Sequence, residues 1–144
     1  MANGAQGPAS LATSAHAGEC PLKFAALTPI LRSFDERRAR RFYVDFLGFE
    51  VEFEHRFEPD APLYMGLRKD ECRIHLSEHY GDGTPGSGLR IQVDDVRAYA
   101  KWLRAKNFEN SRPGEPQLQE WGAWEITIAD PSGNRLTFYT DATD

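Results

Sequence analysis

Two side chains stand out as candidates for chemistry: His75 in "CRIHLSEH" and Glu125 in "WGAWEITIAD". His75 alternates with Arg73 and Ser77 and opposes Ile74 and Leu76, so on a strand it faces the polar side. Glu125 shares strand parity with Thr127 and with Thr137 of "NRLTFYT", which predicts a second polar face. An imidazole oriented by a carboxylate can act as a general base, and the pair can offer two ligands to a divalent ion. Such an ion needs several converging donors, and two are few. Ser77 completes the residue types of a hydrolytic triad. It shares a strand face with His75, however, and the sequence has no Gly-x-Ser-x-Gly elbow, so a hydrolase is excluded. With no nucleophile beside it, His75 reads as the polar lining of a pocket.

The remaining reactive types are weaker candidates. His55 follows the parity of Val51, Phe53 and Phe57, which predicts a core or rim histidine; His16 and His79 fall in predicted loops and are expected to be solvated. Cys20 and Cys72 are far apart and belong to no Cys-x-x-Cys pair, so neither a disulfide scaffold nor a zinc knuckle is indicated. The segment "GDGTPGSG" lacks the Gly-Lys-Ser/Thr ending of a phosphate loop and reads as a linker. The run "RRARR" is the one basic cluster and has the spacing of a solvated helix face. Trp124 shares parity with Ile126 and Ile128 and reads as core. Phe57 and Trp121 are predicted at the rim, where Trp121 also has the plainer reading of a plug at a dimer contact.

These residues are carried on 144 positions, enough for one domain with its own core. Hydrophobic residues make up 40% and charged residues 27%, the balance of a soluble globular chain. No apolar run approaches the length of a membrane helix. A formal net charge of −5 argues against nucleic acid and favours a cationic small molecule. Residues 1–22 are rich in Ala, Gly and Ser without the pattern of a secretion signal and read as a flexible tail. Two idle thiols fit a reducing cytoplasm.

Hydrophobic periodicity then writes one unit twice. Residues 23–33 are apolar enough for a strand, with Pro29 suited to an edge. "SFDERRARRFYVDFLGFE" has helical period, with Ser33 and Glu36 in capping-box spacing and Gly48 as its stop. Three strand candidates come next: "FEVEFEHRF", "APLYMGLR" and "CRIHLSEH", with the facing of Tyr64 left open by the pattern. After the linker at 79–87 the order recurs, with a strand in "GLRIQVDD", a helix striped by Val96, Tyr99 and Leu103 and ended by Asn107, an irregular segment in "FENSRPGEPQLQ", and a hairpin across "PSGN". The domain expected is 23–140, with module one at 23–78 and module two at 88–140. Two such units would carry their helices outside and leave a cup between the sheets.

With "RRFYVDFLGFEV" closing the first helix, "IQVDDVRAYAKWL" opening the second and "WGAWEITIADPSGNRLTF" as the final hairpin, the chain resembles the vicinal-oxygen-chelate superfamily. That superfamily takes in glyoxalases, extradiol dioxygenases and bleomycin resistance proteins, and the resemblance is to the last of these, over residues 23–139. It implies an α+β fold of paired βαβββ modules forming a cup-shaped mixed sheet, in a homodimer whose sites draw on both modules, often across chains. Metal-dependent relatives hold a divalent ion with His, Gln or Glu. The matching positions here are Thr28, His75, Gly88 and Thr137, of which His75 alone is a usual ligand, with Glu125 a substitute by parity. The expectation is therefore no metal, no cofactor and no catalytic residue.

In bleomycin resistance proteins a planar part of the antibiotic lies between a Phe and the Trp of a Trp-Gly pair; Phe57 and Trp121 with Gly122 match. The resemblance thus implies a cytoplasmic, metal-free binding protein that confers resistance by sequestering a cationic planar ligand of the bleomycin class. Phe57, His75, Arg90, Gln92, Trp121, Gly122, Glu125 and Thr127 would hold that ligand, with neither nucleic acid nor membrane as partner. The alternative is a metal-dependent lyase-, glyoxalase- or dioxygenase-like enzyme acting on a small oxygenated substrate, with His75 and Glu125 leading.

Overall fold

The computed structural model describes residues 18–143; His16 and most of the predicted tail lie outside them. The elements are β1 (Ile30–Arg32), α1 (Glu36–Arg40) continued by a π-helical segment (Arg41–Phe46), β2 (Glu50–His55), β3 (Tyr64–Lys69) and β4 (Cys72–Ser77). The second half repeats the order with β5 (Gly88–Gln92), α2 (Val96–Ala105), β6 (Gln117–Leu118), β7 (Ala123–Ala129) and β8 (Arg135–Asp141). They form two four-stranded sheets, β1-β4-β3-β2 and β5-β8-β7-β6. In each, the first strand runs parallel to the last and the rest are antiparallel. Among the described residues, no helix is long and apolar enough to cross a membrane.

Three local expectations are corrected. The first strand is short: Ile30–Arg32 pairs with His75–Ser77, the Pro29 carbonyl accepts from the His75 amide, and residues 20–28 are exposed and lie outside the sheet. The cap of α1 is Asp35, not Ser33. Its carboxylate accepts from the Arg38 amide, as that of Asp95 does from Ala98 at the start of α2, and each satisfies one of the orphan donors of a helix start. The last turns of the first helix widen, with the Leu47 amide reaching the Phe42 carbonyl. Phe42, Tyr43, Phe46 and Leu47 still turn inward with Ala39, the face that helical period places together. At the end of α2, Asn107 takes a positive φ of 51°, the left-handed geometry that closes a helix.

The α+β class and the two mixed sheets are as expected; the helices sit elsewhere. Met65, Leu67, Ile74 and Leu76 of the first sheet and Ile126, Ile128, Leu136 and Phe138 of the second join Phe42, Phe46, Ala100 and Leu103 of the helices in one continuous core. The helix-bearing sides of both sheets therefore meet, and within one chain the opposite faces look away from each other. Polar clamps hold this arrangement. The Tyr43 hydroxyl donates to Asp130 (2.6 Å), the Asn134 amide group donates to the Arg32 carbonyl (2.9 Å), and the Tyr99 hydroxyl donates to the Leu47 carbonyl (2.9 Å). Asp130 also accepts from the backbone of Ser132 and Asn134. With both carboxylate oxygens of Asp130 engaged in this way, "DPSGN" is both the final hairpin turn and the staple between modules.

Candidate functional site

The open face of the first sheet is aromatic. Opposite Val51 lies Leu67, but Phe53 opposes Gly66, so Glu52 is an extra residue and the strand bulges. The bulge puts Phe53 and His55 on the open face while Val51 stays with the core, which corrects the single apolar stripe Val51-Phe53-His55-Phe57 and leaves His55 exposed. Phe53 lies across Gly66, where a Cβ would come within 2.1 Å of its ring. It stacks on Tyr64 (centroids 6.2 Å, 15° between planes) and meets His75 edge-on at 5.1 Å. The Tyr64 hydroxyl is 2.8 Å from Nδ1 of His75. That ring is held at one of its two nitrogens. Burial, and then the Asp82 carboxylate, raise the Tyr64 pKa and keep its proton in place. Phe57, 76% exposed, packs edge-on against His55 and His79, which is half-buried, not fully solvated. Ser77 donates to Asp82 and lies buried, so it is structural.

The open face of the second sheet is a polar lattice. Glu125 Oε2 accepts from Arg90 (2.7 Å) and from the indole N–H of Trp121 (2.6 Å). The Arg90 guanidinium also lies over the Tyr139 ring at 4.4 Å, a cation–π contact. Gln92 donates to Asp141 (3.2 Å), and the hydroxyls of Thr127 and Thr137 pair at 2.8 Å. Trp121 is 64% exposed and followed by Gly122 at φ 86°. This turn geometry suits glycine. The Arg90 hydrogen bond, joined by the Trp121 N–H, holds the Glu125 carboxyl below its ordinary value, because both donors favour the charged form. Trp124 faces the helices, half-buried beneath Arg97.

Of the eight predicted ligand residues, the chain gathers Arg90, Gln92, Trp121, Gly122, Glu125 and Thr127 on the second sheet and its rim, and Phe57 and His75 on the first. His75 and Glu125 are thus not brought together within one chain. Among the described residues no group of three or more His, Cys, Asp or Glu side chains could hold a metal ion. Sequence reasoning missed Phe53 and Tyr139. The signal for Phe53 was Gly66 facing it across the strands, readable only once the bulge is known; Tyr139 shares parity with Thr137 and was within reach. Two clefts, of about 810 and 780 Å³, open at the seams between the modules and not over either face.

The family described as "Glyoxalase superfamily protein" matches residues 12–144. Among curated proteins none matches by sequence. Solved structures of similar fold include the bleomycin resistance determinant encoded on the transposon Tn5, with TM-score 0.66 and 23% identity over 83% of this chain and 100% of that one. A bleomycin-binding protein complexed with bleomycin has TM-score 0.65 and 22% identity over 82% and 99% of the two chains. The bleomycin-binding protein of the bleomycin-producing Streptomyces verticillus, complexed with copper(II)-bleomycin, has TM-score 0.60 and 28% identity over 85% and 99%. With a family match over nearly its whole length and the twice-written βαβββ unit that the fold displays, this chain belongs to the glyoxalase (vicinal-oxygen-chelate) superfamily and resembles the bleomycin resistance proteins within it.

Proposed function

We propose that the chain is a homodimeric binding protein that sequesters a planar ligand of the bleomycin class without transforming it. The observation that carries this reading is Trp121, a large flat side chain, exposed yet fixed at its N–H by Glu125. It is a platform set in place before any ligand arrives, which lowers the ordering cost of binding. The similar proteins that bind bleomycin support the ligand class. Completing the site takes two copies. β1 and β5 are edge strands, and setting β1 of one copy beside β5 of another joins an aromatic face to a polar one. Phe57 and His75 of one protomer then stand across from Trp121 and Glu125 of its partner, and the eight expected residues surround one space.

The expected cationic character of the ligand gains little from this geometry. Glu125 and Asp141 are engaged by Arg90 and Gln92, and Glu52 lies beside Arg68 and Arg73. The faces select by shape and stacking, with charge a lesser contribution. The metal-dependent alternative requires His75 and Glu125 at one ion, whereas Glu125 already receives two donors at one oxygen and Tyr64 holds one nitrogen of His75. Calorimetric titration of the purified protein with bleomycin, beside elemental analysis of protein prepared without chelator, tests the proposal. Saturable heat at micromolar ligand with no stoichiometric metal is expected. Absence of heat ends the sequestration reading, and stoichiometric metal lost in His75→Ala moves the function to the enzyme.

A further inference from the structure

We propose that Tyr64 is a positioning residue: it fixes the tautomer of His75, so that this imidazole presents an N–H at Nε2 and selects planar ligands that carry a hydrogen-bond acceptor. The inference rests on the binding reading above and adds the polarity that the ligand must bring to the aromatic wall. A neutral imidazole has one N–H and one bare nitrogen, and the hydrogen bond made at one of them decides which is which. In His75 the decision falls at Nδ1, 2.8 Å from the Tyr64 hydroxyl. Two proton arrangements fit that distance. Either the phenol donates to a bare Nδ1, or an N–H at Nδ1 donates to the phenol oxygen. An imidazole nitrogen takes up a proton near neutrality and a phenol oxygen does not, so the first arrangement joins a good donor to the better acceptor. The Tyr64 hydroxyl makes no other hydrogen bond among the described residues, so this arrangement alone uses its proton inside the protein.

The surroundings hold the ring in that setting. His75 lies on β4, between β1 and β3, opposite Gly66. Because Gly66 has no side chain, the Phe53 ring lies across it and meets the imidazole edge-on at 5.1 Å, and the Tyr64 ring meets it at 5.3 Å. Flipping the imidazole would exchange Nδ1 for a carbon and forfeit the Tyr64 bond. Nε2 has no hydrogen-bond partner among the described residues, and it is not sealed from solvent. The side-chain oxygen of Asn134 is the only buried side-chain polar atom left unpaired among those residues. An open N–H beside exposed rings has one complement. A carbonyl oxygen or a bare ring nitrogen at the edge of a stacked ligand accepts from it, whereas a ligand N–H at the same place leaves two donors facing each other unpaired.

Nitrogen NMR of the full-length chain labelled at histidine tests the tautomer directly, at mildly alkaline pH where the imidazoles are neutral. The His75 signals are identified by their loss in His75→Gln. Nδ1 should resonate as a bare nitrogen and Nε2 as a protonated one, and Tyr64→Phe should move both toward the averaged pattern of two exchanging tautomers. Two flat fragments then probe the acceptor: pyridine, which only accepts, should shift the Nε2 signal saturably, and pyrrole, which only donates, should not. With bleomycin as the probe, His75→Gln, which keeps a donor, should bind about tenfold more tightly than His75→Glu, which only accepts. A bare Nε2 in the wild type, or a pattern unchanged in Tyr64→Phe, overturns the role of Tyr64. A response to pyrrole as large as that to pyridine, a response to neither, or equal bleomycin affinity in the Gln and Glu variants overturns the selection of acceptors. A wild type that binds no bleomycin overturns the sequestration reading instead, and the tautomer pattern with the two fragments still decides this inference.

Discussion

The two open faces come from the same βαβββ unit, yet one is built from rings and the other from hydrogen bonds. On the first sheet Phe53, Tyr64, His75, His55 and Phe57 touch ring to ring, and the formal charges lie aside in the Glu52, Arg68 and Arg73 group. On the second sheet nearly every polar group has a partner on a neighbouring strand: Arg90 with Glu125, Gln92 with Asp141, Thr127 with Thr137. A face of rings tolerates many flat ligands because stacking is geometrically permissive. A lattice of fixed donors and acceptors does not, because a ligand must match it or break it. Duplication followed by such divergence gives a two-copy site one wall that holds and one that reads, with Trp121 as a ring borrowed by the reading wall.

Removing that borrowed ring should have the largest effect. Trp121→Ala is expected to weaken binding of a bleomycin-class ligand about 30- to 100-fold, from lost area burial together with lost stacking. Calorimetry would measure it, and melting of the free protein should barely change because the indole is exposed. A loss no larger than that of Phe57→Ala would remove the distinction between the two walls.

The next effect should fall on stability and spare both faces. Tyr43 is buried, its pKa pushed well above the ordinary tyrosine value by burial and by Asp130 beside it. Tyr43→Phe removes one donor from a buried carboxylate, a cost of about 1–2 kcal/mol. A lower Tm with unchanged ligand affinity is the expected result. A matching loss of affinity would show that the clamp and the faces are coupled.

On the aromatic wall, Gly66→Ala should act locally. The added methyl group occupies the space of the Phe53 ring and displaces it from Tyr64 and His75. Because that ring is partly exposed and can swing outward, stability should change little, while affinity falls about 3- to 10-fold, the value of one aromatic contact. Phe53→Ala should reproduce the loss, and the double variant should add nothing to it.

Legibility in the sequence followed the reach of each interaction. The hairpin of β7 and β8 could be read by parity because alternation is local, and Trp124, Glu125, Thr127 and Thr137 take the faces predicted for them. The first strand could not, since residues 23–28 are apolar enough for a ladder but, among the described residues, pair with no strand. The bulge at Glu52 was invisible because an extra residue reveals itself only against the opposing strand, and it reversed the expected facing of Phe53 and His55. Asp35 took the cap from Ser33, although both have suitable side chains, and Ser33 went into the protein interior instead. The direction in which the sheets face depends on how two helix-bearing surfaces meet, a contact between residues roughly 50 to 100 positions apart that periodicity does not encode.

The smallest effect should distinguish a fixed platform from a free one. Glu125 is held below its ordinary pKa of 4.5 by Arg90 and then by the Trp121 N–H, so the carboxylate is the form that the fold favours. A depressed carboxyl pKa contributes fully above the unfolded value and loses its contribution as pH falls through the folded one. The Trp121 anchor is therefore intact from neutrality down to about 4.5 and weakens below that. In Glu125→Gln the side-chain oxygen accepts from the indole at any pH while the ion pair is gone. Its affinity at neutral pH should fall only about two- to threefold, and tryptophan fluorescence should show none of the acid-induced release of the wild type. Comparing the two proteins cancels what they share and leaves the behaviour of Glu125 alone. If the wild type and the variant release the indole along the same acid curve, the platform is not set by this carboxylate, and the polar wall reads its ligand without fixing the ring beside it.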